Sequence, residues 1–174
     1  MNFTSQNNRS GFKDFKISFV LNEEFQQFKD NAEQGQILQA RVINRVNTNH
    51  YLLLLNRQKI IAEFSELLPV GDLIVVKIRN IARRMALQYL GPVDDAFQFF
   101  KKNFSAGSKL SENEWKYLFS KWIEYGLPMV QKSIEIYRQF LNIVNRIDPG
   151  LKRYIPEIWL LAKRWKLKPT HQNV

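Results

Sequence analysis

Cysteine is absent from the 174 residues. With it go disulfides, thiol nucleophiles and thiolate metal sites, and the chain suits a reducing compartment. Histidine is scarce. His50 and His171 are far apart, and the second lies in a polar tail. Long hydrophobic runs are missing too. The longest, Tyr51–Leu55 and Ile158–Ala162, fall far short of the roughly 20 residues that span a bilayer. The first residues, MNFTSQNNRSGFKDFK, are polar and hold no apolar core of a signal peptide. These absences predict a soluble, cytoplasmic protein.

Catalytic patterns are equally sparse. The phosphate-cradling GxxxxGK[ST] and GxGxxG, the zinc-binding HExxH and the nucleophile GxSxG are all lacking. The acidic pairs Glu23-Glu24 and Asp94-Asp95 stand at helix starts, where a carboxylate complements the helix dipole. No enzyme activity, cofactor, metal or small-molecule substrate is expected.

What the chain does have is aromatic side chains and positive charge. Thirteen Phe, 6 Tyr and 4 Trp make a folding composition, enough apolar surface to offset chain ordering. The formal net charge is +10. Residues 1–92 carry 12 Lys+Arg against 8 Asp+Glu, and residues 93–174 carry 14 against 8. The surplus is therefore spread over the whole length and forms no basic tail. It favours anionic partners: nucleic acid, an acidic protein surface or an anionic leaflet.

The chain divides into a mobile N-terminal arm plus short helix (1–34), a β-barrel domain (35–92) and a helical module (93–174). KISFVL near the start fits a short strand or an extended arm. Asn22 fits the N-cap of the helix that follows, with Phe25 and Phe28 as its apolar stripe and Gly35 as its end. Residues 36–90 then read as short strands in close succession. QILQARVINRV alternates, with Leu38, Ala40, Val42 and Val46 on one face and Gln39, Arg41 and Arg45 on the other. HYLLLL and KIIAEF flank a tight turn at Asn56-Arg57. LIVVKIRNI and MALQYL flank another at Arg83-Arg84, and Gly91-Pro92 is a stop. Five strands in so short a stretch predict a small OB-like or SH3-like barrel, since closure removes sticky edges.

The rest reads as three to four helices, so the fold class is α+β: a five-stranded barrel followed by an α-helical module. Ser111 with Glu114 is a capping box ahead of the stripe Trp115, Leu118, Phe119, Trp122 and Ile123. Gly126-Leu127-Pro128 ends one helix and opens the next, which carries Val130, Ile134, Tyr137, Leu141 and Val144 on one face. Asp148-Pro149-Gly150 stops it. Pro156 opens the last helix, whose stripe is Ile158, Leu161, Ala162 and Trp165.

Two surfaces are candidate sites. On the barrel, Arg41, Arg45, Lys77, Arg79, Arg83 and Arg84 form a candidate basic face, of the kind that tracks a single strand when aromatics accompany it. Aromatics are few there: Tyr51, Phe64 and Tyr89. In the helical module, Trp159, Lys163, Arg164, Trp165 and Lys166 form a candidate docking surface for an acidic partner groove.

Two stretches carry a resemblance. Residues 35–90, with Gly35, Leu38, Ala40 and Val42, then Tyr51 to Leu55, Ala62, Pro69, Gly71, Asp72, Val76, Ile78 and Leu87-Gln88, resemble the domain that precedes the C-terminal region in flagellar hook-length control proteins. Residues 125–141, with Gly126, Leu127 and Pro128, resemble that family's Gly-Leu-Pro segment. Met129-Val130 follow where the family has a Thr or Ser cap. The resemblance implies the barrel-then-helix fold and a bacterial flagellar or export setting. It does not carry over the family's ruler function, which needs an extended region this sequence lacks. The expected function is a non-enzymatic protein–protein interaction module. The alternative is single-stranded nucleic-acid binding by the basic barrel, and an anionic membrane surface is the least favoured partner.

Overall fold

A computed structural model describes residues 14–20, 24–80, 85–104, 110–147 and 149–164. The elements run β1 (Asp14–Val20), α1 (Glu24–Asn31), β2 (Ile37–Arg45), β3 (His50–Leu55), β4 (Gln58–Glu63), β5 (Leu73–Asn80), β6 (Ala86–Pro92), α2 (Val93–Phe104), α3 (Glu112–Glu124), α4 (Gln131–Ile147), a 3-10 turn at Pro149–Tyr154, and α5 (Ile155–Arg164). The fold is α+β, as expected.

The barrel is closed and antiparallel, in the order β1-β4-β3-β2-β5-β6. It has one strand more than the five expected, because the N-terminal segment 14–20 forms β1 and bridges β4 to β6. The run β5-β2-β3-β4 is a Greek key: β2, β3 and β4 follow by hairpins, and β5 returns to lie beside β2.

Alternation explains the filling. In β3, Tyr51, Leu53 and Leu55 point inward and are fully buried, while Leu52 and Leu54 face outward and are half-buried. Ala40, Val42, Ile60, Ala62, Ile74, Val76, Ile78 and Leu87 complete the interior, and Phe28 of α1 packs against it. The β3–β4 hairpin turns at Asn56 (φ 47°) and Arg57 (φ 68°), the doubly left-handed pair that matches strand twist. Asn tolerates that conformation readily, and Arg adopts it at a cost.

The helices cover one outer side of the barrel. Ile37, Val75 and Leu90, outward residues of β2, β5 and β6, join a second cluster with Phe97, Phe100, Phe104, Trp115, Trp122 and Trp159. The two halves are therefore joined by a shared apolar layer, and α2 follows β6 without a linker. Inside this cluster the Trp122 and Trp159 rings stack at 5.1 Å, and Phe100 and Phe104 stack at 4.3 Å. Tyr137 is buried among them, and desolvation, with Glu114 nearby, pushes its hydroxyl well above the usual phenol range. The Ser111 capping box forms in full at the start of α3. Arg138 of α4 reaches back to the carbonyls of Asn103 and Phe104, where α2 ends.

The Gly-Leu-Pro segment does more than start α4. Gln36 and Pro128 form an antiparallel bridge: the Met129 N–H donates to the Gly35 carbonyl (2.6 Å) and the Ile37 N–H donates to that of Leu127 (3.3 Å). Gly35 is required there. Its φ is +90°, and a Cβ would sit 2.5 Å from Cγ1 of Val130.

Two apolar stripes depart from expectation. Val46 is 51% exposed, for the reason given below, and Leu161 of α5 is exposed because Ile155 and Trp159 carry the buried face instead. The expected N-cap Asn22, the turn at Arg83-Arg84, and Asp148 lie outside the described residues. No helix among the described residues is long and apolar enough to cross a membrane.

Candidate functional site

The candidate basic face is divided by two features of β2. The first is a β-bulge between Val42 and Asn44. Before it, Arg41 lies opposite Leu54 on the outer surface; after it, Arg45 lies opposite the inward Tyr51. One extra residue has moved Arg45 to the other face, so Arg41 and Arg45 do not share a face as the alternation predicted. The same slip exposes Val46. The Arg45 guanidinium rests over the Tyr51 ring (5.9 Å) and donates to the carbonyls of Asn47 (3.2 Å) and Thr48 (2.7 Å), holding the β2–β3 turn.

The second feature is the helical cover. Lys77 lies opposite Ile37 and Arg41 opposite Leu73, with Gln39 and Val75 between them. Val75 is fully buried beneath the helices. Lys77 and Arg79 therefore stand on one side of the helical module and Arg41 on the other. Partial burial, and then the charge of Arg79, hold the Lys77 ammonium below the usual lysine range. Arg83 and Arg84 lie outside the described residues.

The aromatics of β3 and β6 and of the segment after β4 offer no open stacking platform, while the side chains of Phe15 and Phe19 on β1 lie outside the description. Tyr51 and Phe64 are buried, and Tyr89 packs edge-on against Phe64 at 5.2 Å. Burial, with the charges of Asp95, Glu66 and Asp72, raises the Tyr89 hydroxyl above its ordinary range. In the helical candidate, Trp159 is core: it is 5% exposed and stacked on Trp122, so it is not a docking residue. Lys163 and Arg164 close α5, and their side chains, like Trp165 and Lys166 altogether, lie outside the described residues.

A different surface emerges at the β4–β5 connection. From inside the barrel, the Tyr51 hydroxyl donates to the Glu66 carbonyl (3.0 Å) and accepts from the Leu68 N–H (3.3 Å). Leu68 is buried in the barrel core. Further on, the Gly71 N–H donates to the Val42 carbonyl (2.8 Å) and the Val42 N–H to that of Asp72 (2.9 Å). The loop is thus pinned at both ends. Its remaining apolar residues are held outward, with Leu67 72% exposed and Val70 58%, and Leu73, which opens β5, is 37% exposed.

Leu73 continues a row across four strands. Lys59, Leu54, Arg41 and Leu73 face one another on β4, β3, β2 and β5. At about 4.8 Å per strand the row is roughly 14 Å wide, apolar and cationic in alternation. The Arg41 guanidinium is steadied by the Gly71 carbonyl (3.4 Å). Beside it, Gln39 of β2 lines a crevice of about 470 Å³ between α2 and α3. Val93 and Phe97 of α2 and Phe119 and Ile123 of α3 give it an apolar floor; Asp94, Lys116, Ser120 and Glu124 stand at its rim. The sequence did not disclose this crevice, because it is assembled from three separate segments. Nothing local marks Leu67 and Val70 as outward, because their facing depends on where Tyr51 ties the loop.

No protein-family model, curated protein or solved structure matches the chain. Fold and surface therefore define the class by themselves: a closed six-stranded barrel with a helical flank and an exposed apolar loop between β4 and β5.

Proposed function

We propose that the chain is a non-enzymatic docking module that binds a protein partner through the outer surface of β2, β3 and β5 and the loop between β4 and β5. One observation carries this reading: Leu67 and Val70 are held out into solvent on a loop whose backbone is tied to Tyr51 and Val42, with Leu73 exposed beside them at the start of β5. Exposed apolar groups clustered on a rigid frame mark interaction surfaces, since ordering them on binding costs little. The closed barrel offers no free strand edge, so a partner engages side chains and not backbone. A bacterial flagellar or export apparatus in the cytoplasm is the setting the sequence resemblance suggests.

Single-stranded nucleic acid is the rival partner, favoured by the +10 charge. The divided basic face and the burial of Tyr51 and Phe64 speak for the protein partner. Two measurements separate them. A photo-crosslinking amino acid placed at Leu73 yields a discrete protein adduct in cells, and one placed at the exposed Asn142 on α4 does not. Titration with labelled single-stranded DNA and RNA at low salt gives no micromolar binding. Tight binding with a steep salt dependence, and no adduct at Leu73, would replace the docking reading with the rival.

A further inference from the structure

The crevice between α2 and α3 and the row of side chains on the outer barrel are continuous. Gln39 lines the crevice, and Arg41 is the next outward residue of β2, about 7 Å along the strand. On the neighbouring strands, Ile74 pairs with Pro92, which places Leu73 next to the start of α2, where Val93 lines the crevice. A segment lying across Leu54, Arg41 and Leu73 would reach the crevice mouth without turning.

The charges decide what such a segment carries. At the crevice rim, Glu124 is paired with Lys121 at 2.9 Å. Asp94 and Asp95 sit in the first turn of α2, where the helix dipole offsets part of their charge. Lys116 stands at the rim, and Arg41 and Lys59 alternate with Leu54 along the row. Near the loop, Asp72 meets Val42, one residue further from Gln39 than the Arg41–Leu73 pair, and with Glu66 and Asp95 it lies within electrostatic reach of Tyr89. A whole-chain charge of +10 also disfavours a second copy of this chain as the occupant.

We infer that this groove takes a short acidic segment of a partner protein, which places one large apolar side chain in the α2–α3 crevice and sets carboxylates against Arg41, Lys59 and Lys116. The volume suits such an anchor: about 470 Å³ lies in the range of built ligand pockets. A buried apolar anchor ringed by charge pairs is the usual energetic layout of peptide grooves. The inference rests on the docking reading and assigns the partner's chemistry.

The test uses the full chain and a displayed library of random 12-residue peptides as the probe. Selected peptides are expected to combine an aromatic or large aliphatic residue with neighbouring Asp or Glu. Ser120→Trp fills the crevice from its exposed rim, and Arg41→Glu reverses the row. Each is expected to weaken the selected peptides about tenfold or more, equivalent to about 1.4 kcal/mol, with melting temperature and circular dichroism confirming that the variants fold. Peptides indifferent to Ser120→Trp would overturn the anchor, and a basic or uncharged consensus would overturn the acidic segment. No enrichment over bare support would overturn the inference as a whole. The Leu73 crosslink is read separately: an adduct persisting in Ser120→Trp leaves docking standing without the crevice, and no adduct at all removes docking itself.

Discussion

Substituting Gly35 tests whether barrel and helices are one cooperative unit. Gly35→Ala imposes two penalties that the geometry separates. At φ +90° an L-residue lies in the left-handed half of backbone space, at a cost of about 1–2 kcal/mol. The new Cβ would also lie 2.5 Å from Cγ1 of Val130, and overpacking of this kind costs about 1–3 kcal/mol. Together these give about 2–5 kcal/mol, a large share of an ordinary domain's stability. Gly71 is the control. Its φ is +97°, but nothing lies within 4 Å of a Cβ there, so Gly71→Ala carries only the backbone part. Val130→Ala in the Gly35→Ala background removes the opposing methyls and should restore the steric share, a coupling that a double-mutant cycle reads directly. The assay is urea unfolding followed by tryptophan fluorescence, which reports the helices, and by circular dichroism, which reports both halves. If Gly35→Ala and Gly71→Ala cost the same, the close approach to Val130 is not as described. If fluorescence and circular dichroism give separate transitions, the Gly35–Met129 bridge does not couple the halves.

Four further outcomes follow from the packing. Arg57→Gly relieves a left-handed Arg in the β3–β4 turn and should raise stability by up to about 1 kcal/mol, checked by the urea midpoint. Trp122→Ala should cost about 3–5 kcal/mol by emptying the aromatic cluster; Trp122→Phe should cost much less, because the buried indole N–H has no hydrogen-bond partner to lose. Lys77→Met should stabilise the protein at pH 7. The folded-state pKa is lowered, so the native state carries the penalty of a charged, half-buried ammonium wherever Lys77 is protonated in both states. The penalty, and with it the advantage of Met, should shrink as pH rises through the folded-state value towards 10.5. Ser111→Ala removes the capping box of α3 and should cost about 1 kcal/mol, visible as an equal loss in thermal unfolding free energy.

Much of the fold was legible because it is encoded locally. Alternation in HYLLLL and KIIAEF, the Asn56-Arg57 turn and the Ser111/Glu114 box each specify their own geometry within a few residues. What escaped was non-local. The bulge after Val42 follows from how β2 pairs with both β3 and β5, and it reversed the facing of Arg45 and Val46. The Gly-Leu-Pro segment reads as a helix opener, and its bridge to Gln36 needs the barrel already in place. Trp159 looks like an exposed anchor in a basic segment until Trp122 is brought over it. The exposed apolar loop was the least legible, since the outward Leu67 and Val70 depend on Tyr51 reaching across the barrel interior to the loop.

The way β1 closes the barrel bears on how the protein is made. Asp14 pairs with Gln88 and Val20 with Ile60, so the first of the six barrel strands to leave a ribosome has both its neighbours far downstream. Until β4 and β6 emerge, its backbone donors and acceptors have no strand to meet. Such a long-range seam slows folding and is the natural last step of assembly. It should also be the first place where the sheet breathes, with amides of β1 exchanging with solvent ahead of those in β2 and β3.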